Sequence, residues 1–539
     1  MSGILIVLMA IAVFFVAYVF YGGWLCKKWG VDGKRETPAH TKEDGVDYVP
    51  ASQGVVLGHH FASIAGAGPI TGPIAAAFFG WVPVLLWIVI GSIFFGGVHD
   101  FGALMSSIRH DGKSIGEVIE KNIGRRGKKL FAIFAWLTLI LVVAAFLNIV
   151  ANTFASTPAA ASASVLFMIL AIVFGFAVYR RGTNLIVSTI LGVVLLGACI
   201  KLGMMFPLTL SAKAWMWILL GYIFVASVTP VWILLQPRDY LNSFLLYAMI
   251  IGAVVGLFFA NPTINPEFVP AFAGFKVNGA FMFPILFVTV ACGAISGFHS
   301  LVGSGTSSKM VDKESDAKLI GYGGMLIEGV LAVISLVAIG AVGMQKGGAI
   351  PTFSVGVGTF MNAFGVPMEV GVPFIALAIS AFALTSLDTA TRLARFVFQE
   401  FFSMASEEEK QGSLTKTLTN KYVATVISVA IGGFLGFSDW RVIWPIFGSA
   451  NQLLSALALL AIGAWLAKEG RDNKMVKIPM IFMFLVTLTA LVFVAQANIA
   501  AGNYILVFFA VVLFILAVVL IKESYKILFG KPQLTEAEA

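Results

Sequence analysis

Six places in this chain carry residue types that can do chemistry inside an apolar setting. They are His59-His60, His99-Asp100, His299, Glu328, the run Thr385-Ser386-Leu-Asp388, and the amide pair Asn451-Gln452. Ionisable groups in lipid are costly, so each marks function by default. At a rise of ~1.5 Å per residue, His59 and His60 lie roughly 8 Å inside the start of their apolar segment. On the same scale His99 and Asp100 lie about 13 Å from the end of theirs, and His299 about 10 Å from Lys309. Four histidines and a carboxylate thus fall at similar depth. They can relay protons near neutral pH, they can bind a metal as His59, His60, His99 and His299, or each can be satisfied separately within a bundle. No HExxH or CxxC spacing supports the metal. Glu328 is ten residues past Lys318, roughly 15 Å deep, where a lone carboxylate must be paired or protonated. Thr385, Ser386 and Asp388 offer hard oxygen ligands for a small cation, although Asp388 and Arg392, four apart, can instead pair on one helix face. Asn451 and Gln452 are substrate contacts or interhelical glue.

These residues are positioned around Gly58–Pro73, GHHFASIAGAGPITGP, an apolar stretch that cannot be an unbroken helix. Pro69 and Pro73 lack the N–H groups that would bond the carbonyls of Ala65 and Pro69. Backbone freed in this way survives in a membrane only when buried in protein or lining a polar cavity. In transporters such breaks bind substrate and ions. The motif Phe61-Ala-Ser63-Ile-Ala-Gly66-Ala-Gly68 is echoed by Phe298-His-Ser300-Leu-Val-Gly303-Ser-Gly305. We expect two discontinuous helices running in opposite directions, as an inverted repeat requires, with breaks at 66–69 and 303–306 that face one another. Phe61, Ser63, Gly66, Gly68, Phe298, Ser300, Gly303, Gly305, Asn451 and Gln452 are the expected substrate contacts, with the two phenylalanines as gates. Glu328, Thr385, Ser386, Asp388, His59, His60, His99, Asp100 and His299 are the candidates for ion coupling.

Composition agrees with a chain in lipid. Of 539 residues 59% are hydrophobic and 12% charged, mean hydropathy is +0.95, and a soluble domain carries roughly 25% charged residues. The fold class is therefore an all-α polytopic membrane protein. Hydropathy gives about fifteen transmembrane helices: the first twenty-odd residues, then 54–79, 82–108, 130–152, 162–179, 184–206, 212–235, 239–260, 281–306, 318–343, 370–400, 418–437, 441–467, 478–497 and 502–523, with 352–364 undecided. The first lacks the basic start and cleavage site of a signal peptide and reads as retained. The segments 26–49, 109–129 and 406–421 read as solvated loops. Counted on alternate sides, 30 of the 35 Lys and Arg fall on one face. That face is cytoplasmic by the positive-inside rule, with the amino terminus outside and the carboxyl terminus in the cytoplasm. The net charge of +8 then reflects loops at an anionic membrane surface rather than nucleic-acid binding. Cys26, Cys199 and Cys292 are isolated and form no disulfide framework.

The chain resembles the carbon starvation protein A family of inner-membrane carriers. The resemblance rests on Asp47-Tyr-Val-Pro50, the Gly58–Pro73 stretch, Gln236-Pro-Arg-Asp-Tyr-Leu-Asn-Ser243, GFHSLVGSGTSSK from Gly297, ALTSLDTATR from Ala383 and Phe447-Gly-Ser-Ala-Asn-Gln452, in consistent order over most of the chain. It implies uptake of peptides or pyruvate-like carboxylates across the inner membrane, and a LeuT-like core of the amino acid–polyamine–organocation type with peripheral helices. It also suggests sodium at Thr385-Ser386. The expected organisation is an amino-terminal helix and loop at 1–53, a first repeat at 54–206, an inserted helix pair at 207–280, a second repeat at 281–467 and peripheral helices with a tail at 468–539. No Walker motif is present, so H+ or Na+ drives uptake without other cofactors, and the chain is not an enzyme. The alternative is a membrane-embedded metal- or haem-binding protein using the four histidines.

Overall fold

The computed structural model describes residues 1–45, 48–230, 233–406, 413–438 and 440–529. Asp47 of the expected motif, 407–412 of an expected loop and 530–539 of the tail lie outside them. The chain is helical almost throughout, because in lipid each backbone N–H and C=O must be satisfied within its own segment. Among the described residues twelve helices are long and apolar enough to cross a membrane, or thirteen spans if one bent pair is counted as a single span. The expected spans at 212–235 and 418–437 correspond to shorter apolar helices, Ala212–Val228 and Lys421–Gly436. The undecided segment is a helix, Ala349–Asn362, whose Phe353, Val357 and Phe360 are buried.

The bent pair is the first expected break. Gln53–Ile64 and Gly68–Phe79 meet at 44°, and Pro69 falls in the first turn of the second half, where a missing N–H costs nothing. The second break is not at 303–306. Gly303 and Gly305 lie within the helix Gly297–Gly305, and the chain leaves helical geometry earlier, between Met282–Val290 and Gly297. Ala291 there has a φ of +43°. Glycine tolerates a helix interior at modest cost, so a glycine-rich motif alone does not fix where a helix opens. In this position the two breaks pack directly: a Cβ on Gly68 would lie 2.5 Å from Cys292 Sγ, and one on Gly72 would collide with the carbonyl of Val290.

Two neighbouring helices carry π-helical segments just before their acidic residues, Ser92–Gly96 ahead of Asp100 and Lys318–Gly323 ahead of Glu328. A π turn shifts the register of the residues after it and leaves a carbonyl to be satisfied elsewhere. Here Tyr322 Oη donates to the Ile93 carbonyl at 3.2 Å, and Ser92 Oγ donates to Gly293 O in the second break at 3.1 Å.

Around this centre, Arg125–Ser156 packs along Met368–Ser406, Trp440–Lys468 packs on Lys474–Ala500, and Leu235–Ala260 packs on Gln53–Ile64. The expected solvated segments at 26–49 and 109–129 are partly docked. Thr37 Oγ1 donates to Val311 O at 2.6 Å. Buried Glu314 accepts Arg109 Nε at 2.8 Å, Arg109 Nη2 at 2.6 Å and the Asp32 N–H at 2.9 Å. Ile115–Asn122 forms a helix with Val118 and Ile119 inside.

Candidate functional site

The first polar cluster is centred on His299, in the first turn of the helix that follows the second break. His99 Nδ1 lies 2.7 Å from Asp100 Oδ1, and His299 Nδ1 lies 2.8 Å from Asp100 Oδ2. His299 Nε2 faces Glu328 Oε2 at 3.4 Å. All four side chains are sealed from solvent, so in this low-dielectric setting their charges act strongly on one another. His60 stands beside the cluster with Nδ1 2.8 Å from Ser307 Oγ. Ser107 Oγ, in turn, donates to Ser308 Oγ at 2.8 Å. The arrangement is a line of alternating bases and acids, not a cage. The four histidines expected as metal ligands do not converge: His59 is drawn toward Asp239 and His60 toward Ser307. Among the described residues no group of three or more His, Cys, Asp or Glu is disposed to hold a metal ion.

The second cluster joins Leu235–Ala260 to Met368–Ser406. Asp388 does not pair with Arg392. Its Oδ2 accepts from the Arg238 guanidinium and from Tyr222 Oη at 2.7 Å, while Arg392 Nη2 donates to Ala226 O at 3.0 Å and to Thr229 O. Both arginines can reach Asp388 by spacing or fold, and Arg238 wins because its guanidinium sits between two carboxylates, bonding Asp239 Oδ1 at 2.9 Å as well. Thr385 Oγ1 donates to Asp239 Oδ1 at 3.1 Å and accepts from Asn242 Nδ2 at 3.0 Å. Ser386 Oγ faces the first break, 2.6 Å from where a Cβ on Gly66 would stand. Arg238, Asp239 and Asn242 lie in a motif that the sequence singles out without assigning them a role. The available signal was an Arg-Asp pair opening an apolar run.

Asn451 stitches the second break from a different helix. Its Oδ1 accepts the Phe298 N–H at 2.9 Å and its Nδ2 donates to Ser296 Oγ at 3.0 Å. Gln452 Nε2 donates to Phe287 O at 2.6 Å. Asn451 and the Gln452 NH2 group are thus bonded to backbone or side chains of the broken helix, while Gln452 Oε1 accepts no hydrogen bond among the described residues. Phe61 is stacked on Tyr247 with centroids 6.0 Å apart, and Ser300 Oγ donates to Gly297 O.

Two cavities approach the breaks from opposite faces. One, of about 540 Å³, is lined by Thr71, Asn148, Asn152, Ser156 and Ser438 among others. The other, of about 360 Å³, lies on the lysine-rich face and takes in His59, Ser63, Asp239, Gly305 and Lys309. The halves of the broken helices sort between them. Ser63, before the first break, and Gly305, after the second, share one cavity, while Thr71, after the first break, lines the other. The two broken helices therefore run in opposite directions.

Fold and site define a polytopic membrane protein built on two antiparallel discontinuous helices. The model of the carbon starvation protein CstA family matches residues 2–346 and 341–490, and the chain belongs to that family. It is 34% identical to the peptide transporter CstA of Helicobacter pylori (strain ATCC 700392 / 26695), over 86% of this chain and 78% of that one. It is 32% identical to the peptide transporter CstA of Escherichia coli (strain K12), over 90% and 80%. The pyruvate/proton symporter BtsT of the same organism is 29% identical, over 91% and 81%. Among solved structures, the Eremococcus coleocola manganese transporter aligns with a TM-score of 0.49 at 12% identity, over 90% of this chain and 99% of that one. MhsT in complex with L-phenylalanine aligns with a TM-score of 0.47 at 15% identity, over 87% and 99%.

Proposed function

We propose that the chain is a secondary active carrier, not an enzyme, that takes up short peptides or pyruvate-like carboxylates across the cytoplasmic membrane in symport with protons. The observation that carries this reading is the pair of cavities on opposite faces, separated by two packed breaks, which is what alternating access needs. The relatives named as peptide transporters and as a pyruvate/proton symporter support the substrate range and the ion. The sealed line His99–Asp100–His299–Glu328 supports protons, since it offers four titratable groups in series. Sodium at Thr385-Ser386 is the second reading. It is favoured by the position of Ser386 Oγ at the first break, and opposed by the engagement of Thr385 with Asp239 and Asn242.

Of the expected substrate contacts, Ser63 and Gly305 are assigned to the cavity wall. Gly66, Gly68, Ser300, Asn451, Gln452 and the two phenylalanines are assigned to holding the breaks closed until they open, and Gly303 to the helix that follows the second break. The repeats at 54–206 and 281–467 form the transport core of LeuT-like type, flanked by 1–53 and 468–539. The segment 207–280 acts within that core, because Tyr222, Arg238 and Asp239 reach Asp388. The lysine-rich face is placed in the cytoplasm.

Reconstituted in proteoliposomes, the protein is expected to concentrate dialanine or pyruvate when an inward proton gradient is imposed, and to stop when a protonophore is added. Full uptake under a sodium gradient with protonophore present would reverse the choice of ion.

A further inference from the structure

A proton held on the sealed line His99–Asp100–His299–Glu328 has no direct way out, because among the described residues none of the four lines either cavity. The neighbours His59 and His60 divide the space between that line and the cavity on the lysine-rich face. His59 lines the cavity and faces Asp239, 3.8 Å away. His60 is 1% exposed and faces the line instead.

The His60 ring lies where three helices meet. A Cβ on Gly324 would stand 3.6 Å from its Cδ2, and one on Gly303 would stand 3.8 Å from its Cε1 and 3.9 Å from Leu104 N. Each of these positions is four residues from a member of the line: Leu104 from Asp100, Gly303 from His299 and Gly324 from Glu328. Four residues return to the same helix face about one turn away, ~6 Å along the axis. The displacement has the same sense in all three helices. Leu104 and Gly303 follow Asp100 and His299 toward Arg109 and Lys309, and Gly324 precedes Glu328 on the side of Lys318. His60 therefore stands one turn from the line, on its lysine-rich side.

The two ring nitrogens differ in what they meet. Nδ1 lies 2.8 Å from Ser307 Oγ, whereas Nε2 has no hydrogen-bond partner among the described residues. Ser307 opens the short turn Ser307–Lys309, and Thr306 and Lys309 beside it line the cavity. A buried ring nitrogen left open is costly, and a donor moving in from the line removes that cost. The other charged groups on elements packed against Gln53–Ile64 have partners of their own. Asp239 and Asp388 share Arg238, and Arg392 donates to the carbonyls of Ala226 and Thr229. Lys309 lies over the Tyr48 ring and Lys318 over the Tyr18 ring.

We infer that His60 is the proton exit of the carrier, taking the coupling proton from His299 or Glu328 and delivering it through Ser307 to the cavity on the cytoplasmic face. The ring accepts the proton at Nε2 and becomes an imidazolium. Its Nδ1 proton then passes to Ser307 Oγ, whose own hydrogen leaves to solvent in the cavity. One proton enters and one leaves, and the ring ends neutral as it began. The inference rests on the proton-symport reading and names the side chain through which that proton reaches the cytoplasm.

The test compares His60→Asn with the unaltered protein in proteoliposomes that hold the lysine-rich face inside. An asparagine amide keeps a partner for Ser307 Oγ but does not titrate. Net uptake of dialanine or pyruvate should fall about tenfold or more, less than the full effect of a positioned proton carrier because other steps share the cycle. Exchange of labelled substrate at equal pH should persist. Raising the lumenal pH should accelerate net uptake by the unaltered protein and leave His60→Asn unchanged, a response that a merely structural histidine does not control. Should His60→Asn not fold, Ser307→Ala, which leaves the ring in place, is expected to blunt the same response. Normal net uptake with a normal response to lumenal pH in the variant that folds overturns the proposal. Loss of exchange together with net uptake marks a structural role and overturns it too. A response lost in Asp239→Asn and kept in His60→Asn moves the exit to His59 and Asp239. An unaltered protein with no proton-driven uptake overturns the symport reading itself.

Discussion

His299 bridges two acids from two different helices, with Nδ1 2.8 Å from Asp100 Oδ2 and Nε2 3.4 Å from Glu328 Oε2. The ring sits in the first turn of the half-helix that begins at Gly297, so a movement of that half-helix necessarily changes its distance from both carboxylates. In the proton-symport reading proposed above, this side chain would link protonation to the state of the break.

Removing the far acid should uncouple the ion from the substrate. Glu328→Gln is expected to lower proton-driven accumulation by about 5- to 150-fold, the range of a typical coupling free energy, while exchange of labelled substrate at equal pH persists. Both rates are measured in the same proteoliposomes. A Glu328→Gln protein that still concentrates substrate as well as the unaltered one would exclude Glu328 from coupling.

Gly72, in the Gly58–Pro73 stretch, and Gly303, in the second glycine motif, should differ in their tolerance of a methyl group. At Gly72 the new Cβ meets the Val290 carbonyl and, at 2.8 Å, that of Thr289. Backbone on both sides cannot yield cheaply, and overpacking of about 1–3 kcal/mol is expected. At Gly303 the nearest atom is His60 Cε1 at 3.8 Å, so Gly303→Ala should fold normally and gain up to about 1 kcal/mol from its helical position. Thermal inactivation midpoints in detergent report the difference. Equal midpoints for the two variants would contradict the direct packing of one break against the other.

Asn451→Ala should lower that midpoint as well. It leaves the Phe298 N–H without its acceptor, at about 1–3 kcal/mol for an orphaned buried group, and removes one partner of Ser296 Oγ, which still accepts from Cys292 Sγ. Asn451→Asp retains the acceptor and should recover part of the loss. Normal stability with abolished uptake in Asn451→Ala would instead make the amide a substrate contact.

Arg238→Met strands two buried carboxylates, and breaking such a pair costs about 3–5 kcal/mol. Adding Asp388→Asn removes one of the two charges and should restore part of the stability, a non-additivity that a double-mutant cycle measures. Strict additivity would show that the two side chains do not interact.

The sequence by itself determined where the chain is helical and apolar, because in lipid each segment must satisfy its own backbone, a requirement local in sequence. The stretches 82–108, 130–152 and 370–400 thus reappear as Trp81–Ile108, Arg125–Ser156 and Met368–Ser403. It located the first break for the same reason: Pro69 and Pro73 delete particular N–H groups whatever surrounds them. It also marked His299 and Asp100 as costly residues at similar depth, and Glu328 separately as a costly carboxylate deeper in the membrane. The tertiary structure alone decided the rest. The second break has no proline to announce it, and it is held at 291–296 by an amide of Asn451, 153 residues from the N–H it accepts. Asp388 had a partner at helical spacing, yet its charge is met by Arg238, 150 residues away. Electrostatic pairing in a low-dielectric interior is governed by distance in space and by burial of both partners, and neither quantity exists until the helices have packed.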